Sequence, residues 1–210
     1  MAFLDLARLW ESPLQREPFE FVVVENFLFS DKLPGLVEAF PQVAGHGSYP
    51  LATVGCGPLF ERLAEELEGE AMRRAIEGKF AVNLDGRPTM ITLRGYSDGK
   101  DGAIHTDSAT KIITVLIYMN PEWHEADGRL RLLRGPDDLS DYAAEVAPLA
   151  GTMVAFRRSG QSFHGHHAHV GQRRSIQLNW VTDSRVVRRE IGRHRWSARI
   201  KALNPLRWAS

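Results

Sequence analysis

The chain of 210 residues has a single cysteine, Cys56. No intrachain disulfide is possible, so packing alone must hold the fold, and a reducing, cytoplasmic setting is expected. It has no net charge either, with 26 basic and 26 acidic residues, so overall charge points to no particular partner. No stretch approaches the roughly 18 consecutive apolar residues of a membrane span. The N-terminal MAFLDLARLWESP is interrupted by Asp5, Arg8 and Glu11, where a signal peptide needs an unbroken apolar run. Repeats and low-complexity tracts are missing as well. These absences exclude a disulfide-stapled module, a spanning protein and a repeat array. They leave one domain with one sizeable core.

The zero charge hides an asymmetry. Residues 181–210 hold eight basic side chains against Asp183 and Glu190, whereas residues 1–180 carry six more acids than bases. A solvated helical face is the plain reading of such a tail. Trp196, Ile200 and Leu203 also form an apolar stripe among Arg193, Arg199 and Lys201. That stripe suits packing on the domain, a second subunit or an acidic partner.

Two textures divide the rest. Residues 1–79 read as a mainly helical flank: a short helix over 2–10, a strand over 19–24, and helices over 30–40, 58–68 and onward to Ile76. Residues 43–57 read as loop. From residue 80 the pattern changes to short β-rich runs at 80–84, 89–96, 111–119, 129–133, 152–156, 162–166 and 174–182. Asp-Gly, Asn-Pro and Gly-Pro-Asp-Asp signals separate them, and a short helix is expected over 137–144. Such spacing predicts a β-sandwich or barrel core over 80–182, an α+β chain overall, followed by the basic tail at 183–210.

Chemistry concentrates in two places. In an extended chain residues i and i+2 share a face, so His105 and Asp107 can reach one ion. A second imidazole would complete the 2-His-1-carboxylate face that suits iron(II) and leaves three positions open. It must come from Phe163-His164-Gly165-His166-His167-Ala168-His169. His164, directly after an apolar run, is the first choice, and His166, of equal parity, is the reserve. Downstream, Arg174 shares parity with apolar Ile176, Leu178 and Trp180, which predicts that Arg174 is the arginine aimed inward. An inward guanidinium needs an anion, and a carboxylate is its best match. Tyr118, on one face with Ile112, Thr114 and Leu116, supplies a hydroxyl for the same socket. Tyr96 is expected to line the pocket beside the metal. Arg94 and Arg131 are expected to be ion-paired, with contact to an acidic substrate group as the other reading.

Tyr96, His105-Thr106-Asp107, Tyr118-Met119-Asn120, Asp127-Gly128-Arg129-Leu130, His164 and Arg174 together resemble the iron(II)/2-oxoglutarate-dependent dioxygenase superfamily, in particular its prolyl 4-hydroxylase-like branch. Gly151-Thr152-Met153-Val154-Ala155-Phe156 looks like the strand before the family's distal histidine. Asp127 replaces the first glycine of the family's Gly-Gly turn. The resemblance covers about residues 80–182. It implies a double-stranded β-helix, or jelly roll, with flanking N-terminal helices. It implies iron(II) on His105, Asp107 and His164, and the distal carboxylate of 2-oxoglutarate on Arg174 and Tyr118. Dioxygen would be the oxidant and ascorbate a reductant. The implied reaction decarboxylates 2-oxoglutarate to succinate and carbon dioxide while hydroxylating a C–H bond of a small molecule or of a protein or peptide side chain. Two other expectations stand beside it: a non-catalytic jelly roll binding zinc or nickel, and an interaction module acting through the basic tail.

Overall fold

A computed structural model of the chain describes residues 2–43, 45–189 and 191–192. The apolar stripe of the tail, from Arg193 onward, lies outside the described residues. The elements are α1 Leu6–Glu11, β1 Phe21–Val24, α2 Leu33–Glu38, β2 Tyr49–Pro50, a 3-10 turn at Leu51–Thr53, α3 Pro58–Leu67 and α4 Glu70–Phe80. They continue as β3 Thr89–Ser97, β4 Lys111–Tyr118, β5 Leu130–Leu133, β6 Tyr142–Val146, β7 Met153–Arg157, β8 His164–Gly165 and β9 Gly171–Val181.

The helices form where apolar residues recur at helical spacing. Pro58 opens α3, where its missing N–H costs nothing, and Phe60, Leu63, Ala64 and Leu67 line its buried side. In α4 the row Met72, Ile76, Phe80 does the same, and the left-handed Ala81, φ 48°, stops the helix. Each such large side chain contributes about 1.5–3 kcal/mol when fully buried. The expected strand over 80–84 is therefore not there. Phe80 completes the helical row, and the Glu77 carboxylate accepts a hydrogen bond from the Leu84 amide at 2.7 Å, closing the turn beyond.

Among the described residues, nine strands make two antiparallel sheets, one ordered β1-β7-β4-β9-β3-β2 and one ordered β6-β5-β8. This is the double-stranded β-helix with flanking helices. The helical flank is not separate from it, because β1 pairs with β7 in register Phe21 to Phe156 and β2 pairs with β3. The helix expected over 137–144 is also replaced. Asp138 and Asp141 build a turn, and Tyr142–Val146 then pairs with β5. The alanines and glutamate of that segment favour helix only weakly, and ladder pairing overrides them.

Both faces of the larger sheet are buried, and they differ. Ile113, Val115 and Ile117 of β4, with Ile176, Leu178 and Trp180 of β9, join the helices in one large apolar cluster. The alternate residues turn toward the smaller sheet. There Tyr118, Val154 and Phe156 pack with Leu130, Leu132 and Val146. Beside that second cluster β9 presents Arg173, Ser175, Gln177 and Asn179, and β4 presents Thr114.

Candidate metal centre

A cavity of about 120 Å³ opens between the two sheets, with His105, Asp107, His164, His166, Arg94 and Arg173 among its walls. His105 and Asp107 lie on the segment leading into β4, and His164 begins β8. The backbones of His105 and His164 pair reciprocally, at 3.0 and 2.9 Å, which brings the two rings to a centroid distance of 4.3 Å. One ligand atom from each of His105, Asp107 and His164 lies within 4.8 Å of the others.

The protonation pattern suits a metal. Nδ1 of His105 lies 2.9 Å from the Ala103 carbonyl, and Nδ1 of His164 lies 3.0 Å from that of Ser162. A carbonyl can only accept, so each Nδ1 carries the proton and each Nε2 keeps a free lone pair. Backbone carbonyls commonly orient metal-binding imidazoles in this way. Burial, with His105 beside it, pushes His164 down to about 4, so the ring is neutral and able to bind metal at pH 7. Burial would raise the Asp107 carboxyl, but the charge of Lys111 and the hydrogen bonds from Lys111 and Thr114 outweigh it and hold the group below the usual carboxylate range. Lys111 Nζ sits 2.7 Å from Oδ1, and Thr114 Oγ1 donates to Oδ2. Arg158 pins the Asp107 backbone carbonyl at 3.1 Å.

Two tight glycines shape the surroundings. Gly102 has φ +100°, and a Cβ there would fall 2.3 Å from the His166 carbonyl oxygen. The loop carrying His105 can thus lie directly against β8 and the residues just beyond it. Gly128, φ +75°, has Trp123 where a Cβ would be, so the turn keeps its second glycine even though Asp127 replaces the first.

The anion socket corrects one expectation. Arg173, 6% exposed, lines the cavity, and Arg174 does not. Arg174 points to the helix side, its guanidinium 5.7 Å from the Phe40 ring centroid. The apolar parity of β9 marks the face under the helices, so the arginine sharing it is turned away from the site. Arg173 Nε donates to the Gly128 carbonyl at 2.9 Å, and its guanidinium sits 5.5 Å from the centroid of the Tyr118 ring. No carboxylate pairs with Arg173 among the described residues. Tyr118 lies on the inner face, as its parity predicts. Among the described residues its fully buried hydroxyl makes no hydrogen bond of good geometry, although the Arg173 guanidinium lies close enough to act on it. A buried cation and a buried hydroxyl, both short of acceptors or donors, fit a carboxylate arriving from outside.

Tyr96 also departs from expectation. It is 41% exposed, pairs with Gln172, and lies past a register shift between Arg94 and Tyr96. The irregularity breaks the alternation that would have sent it inward. Arg94 does line the cavity, ion-paired with Asp101 at 2.7 Å. Arg131 is engaged by Glu145 at 2.6 Å and stands outside the cavity. His166, the reserve ligand, lines the cavity. Its Nδ1 meets the His167 carbonyl at 2.8 Å, and it is not one of the three clustered ligands.

Residues 91–182 match the model of the 2OG-Fe(II) oxygenase superfamily. Over that span the chain is similar to a 2OG-Fe(II) oxygenase domain. The chemistry of that family rests on iron(II), 2-oxoglutarate and dioxygen, and His105, Asp107, His164 and Arg173 all lie inside the matched span. Solved structures share the domain's fold. A prolyl 4-hydroxylase from Pseudomonas putida superposes with a TM-score of 0.56 at 18% identity, covering 85% of this chain and 92% of the other. A viral collagen prolyl hydroxylase from Paramecium bursaria Chlorella virus-1, solved with 2-oxoglutarate, gives 0.54 at 12%, covering 77% and 96%. A prolyl hydroxylase from Trichoplax adhaerens, solved with a hypoxia-inducible-factor peptide, gives 0.53 at 18%, covering 82% and 86%. No curated protein matches the chain by sequence. No helix among the described residues is long and apolar enough to cross a membrane.

Proposed function

We propose that this 2OG-Fe(II) oxygenase is a hydroxylase acting on a protein or peptide side chain, with prolyl residues the first to try. One observation carries the catalytic part. Three side chains able to hold a metal and a buried guanidinium with no carboxylate partner among the described residues face one cavity. A bare metal-binding jelly roll has no need of that guanidinium, whose burial is costly until an anion meets it. The peptide assignment rests on the prolyl hydroxylases that share the fold. A cytoplasmic setting belongs to the same proposal, on the strength of the lone Cys56.

In this reading Nε2 of His105, Nε2 of His164 and the Asp107 carboxylate hold iron(II). Arg173, with the Tyr118 hydroxyl, seats the distal carboxylate of 2-oxoglutarate. When bound, iron and 2-oxoglutarate would activate dioxygen, the oxidant, one of whose oxygen atoms ends in succinate, released with carbon dioxide, and the other in the hydroxylated C–H bond. The chain's own work is positional. Carbonyls fix the imidazole tautomers, Lys111 and Thr114 hold the carboxylate, and Gly128 aims Arg173. His105, at the exposed edge of the trio, leaves one side of the metal face toward solvent, where a substrate chain can approach.

The test is anaerobic titration of iron(II) and 2-oxoglutarate into the apo-protein, following the weak visible charge-transfer band of their chelate. The band is expected with the wild type and is expected to vanish in His164→Ala. Metal binding without any band would reject the cosubstrate and favour a bare metal-binding jelly roll. Succinate release stimulated by proline-containing peptides, over peptides without proline, tests the substrate class.

A further inference from the structure

Asp107 stands at the end of a buried hydrogen-bond chain in which every direction is fixed. Gln177 Nε2 donates to Asn179 Oδ1 at 2.8 Å. That orients the amide so that Asn179 Nδ2 donates to Thr114 Oγ1 at 2.8 Å. A hydroxyl has one proton, and with Asn179 filling its acceptor side Thr114 spends that proton on Asp107 Oδ2. Asn179 is fully buried and Thr114 is 1% exposed. Two polar side chains so placed, one each on β9 and β4, cost stability unless they partner each other. Their positions are opposite one another in the sheet register, Thr114 to Asn179.

We propose that Thr114 and Asn179, steadied by Gln177, are positioning residues that lock the rotation of the Asp107 carboxylate. The lock on Oδ2 acts with the Lys111 ammonium on Oδ1, so that both oxygens are held and Asp107 meets the metal in one orientation. The inference rests on the assignment of His105, Asp107 and His164 as the metal ligands. It adds what fixes the orientation of the carboxylate.

Cobalt(II) is a suitable probe, because its visible bands weaken as coordination number rises. Anaerobic titration of the full chain gives both an affinity and a spectrum, independent of turnover. Thr114→Val keeps the shape and deletes the proton. It is expected to weaken cobalt binding about 10–100-fold, the usual effect of removing a group that orients a ligand, and to alter the band intensity. Thr114→Ser is expected to restore both. Because Thr114→Val strands the Asn179 amide, the double variant Thr114→Val/Asn179→Leu removes both polar groups together, which favours folding. The same loss is expected of it. Affinity within about twofold of wild type, with an unchanged spectrum, overturns the lock. If instead His164→Ala binds cobalt as tightly as the wild type, the metal assignment itself falls and the lock with it.

Discussion

The two faces of β9 carry opposite jobs in one strand of 11 residues. Ile176, Leu178 and Trp180 sit under the helices and make the largest apolar cluster. Arg173, Ser175, Gln177 and Asn179 turn toward the smaller sheet, and three of them line the cavity. A sheet with one solvated face shows its core as the apolar parity. Here both faces are buried, so apolar parity marks the structural side and polar parity marks the reactive side. Inward-facing polar residues are the signal of a site, because burying them without a ligand or a network is unfavourable.

Substitutions can sharpen that contrast. The largest effect is expected from Asp107→Ala or His164→Ala, which should abolish metal-dependent succinate formation while leaving the circular dichroism spectrum intact. On the helix side, Trp180→Ala should cost about 3–5 kcal/mol of stability, read by denaturant titration. Gln177→Ala, three positions earlier on the other face, should cost well under half of that. If both cost the same, the division of labour between the faces is wrong.

The arginines make the most direct pair. Arg173→Ala is expected to raise the 2-oxoglutarate requirement about 10–150-fold, the loss of a hydrogen-bonded charge contact of roughly 1.5–3 kcal/mol. Its melting temperature should hold or rise, since a lone buried charge is removed. Arg174→Ala should change the requirement less than about threefold. The reverse result would restore Arg174 to the socket. A smaller effect than that of Arg173→Ala belongs to Tyr118→Phe. Among the described residues its hydroxyl makes no hydrogen bond of good geometry, only a close approach to Arg173, so stability should fall little. 2-Oxoglutarate should bind several-fold more weakly, in line with about 1 kcal/mol for one hydrogen bond, measurable by calorimetry.

Much of the molecule is legible in its residue pattern. The jelly-roll core, the flanking helices, the parity of His105 with Asp107 and the inward Tyr118 follow from alternation and turn chemistry. Arg174 is misplaced by the same reasoning, because parity separates two faces without naming which is the site. Tyr96 is misplaced because a register irregularity in β3 and β9 leaves no mark in the order of residues. The strand Tyr142–Val146 is hidden by helix-tolerant alanines that only the β5 ladder overrules. The Gln177–Asn179–Thr114 chain joins two strands across 65 positions of sequence, and no local pattern announces it.

The Gly128 carbonyl gives Arg173 one more property. Its grip on Nε stops the guanidinium from sliding or swivelling along its flexible stem. The span between that guanidinium and the three metal ligands is then a fixed gauge. On the proposed function, a diacid one carbon shorter or longer than 2-oxoglutarate is expected to bind more weakly, and a glycine turn that never meets the cosubstrate would set its length.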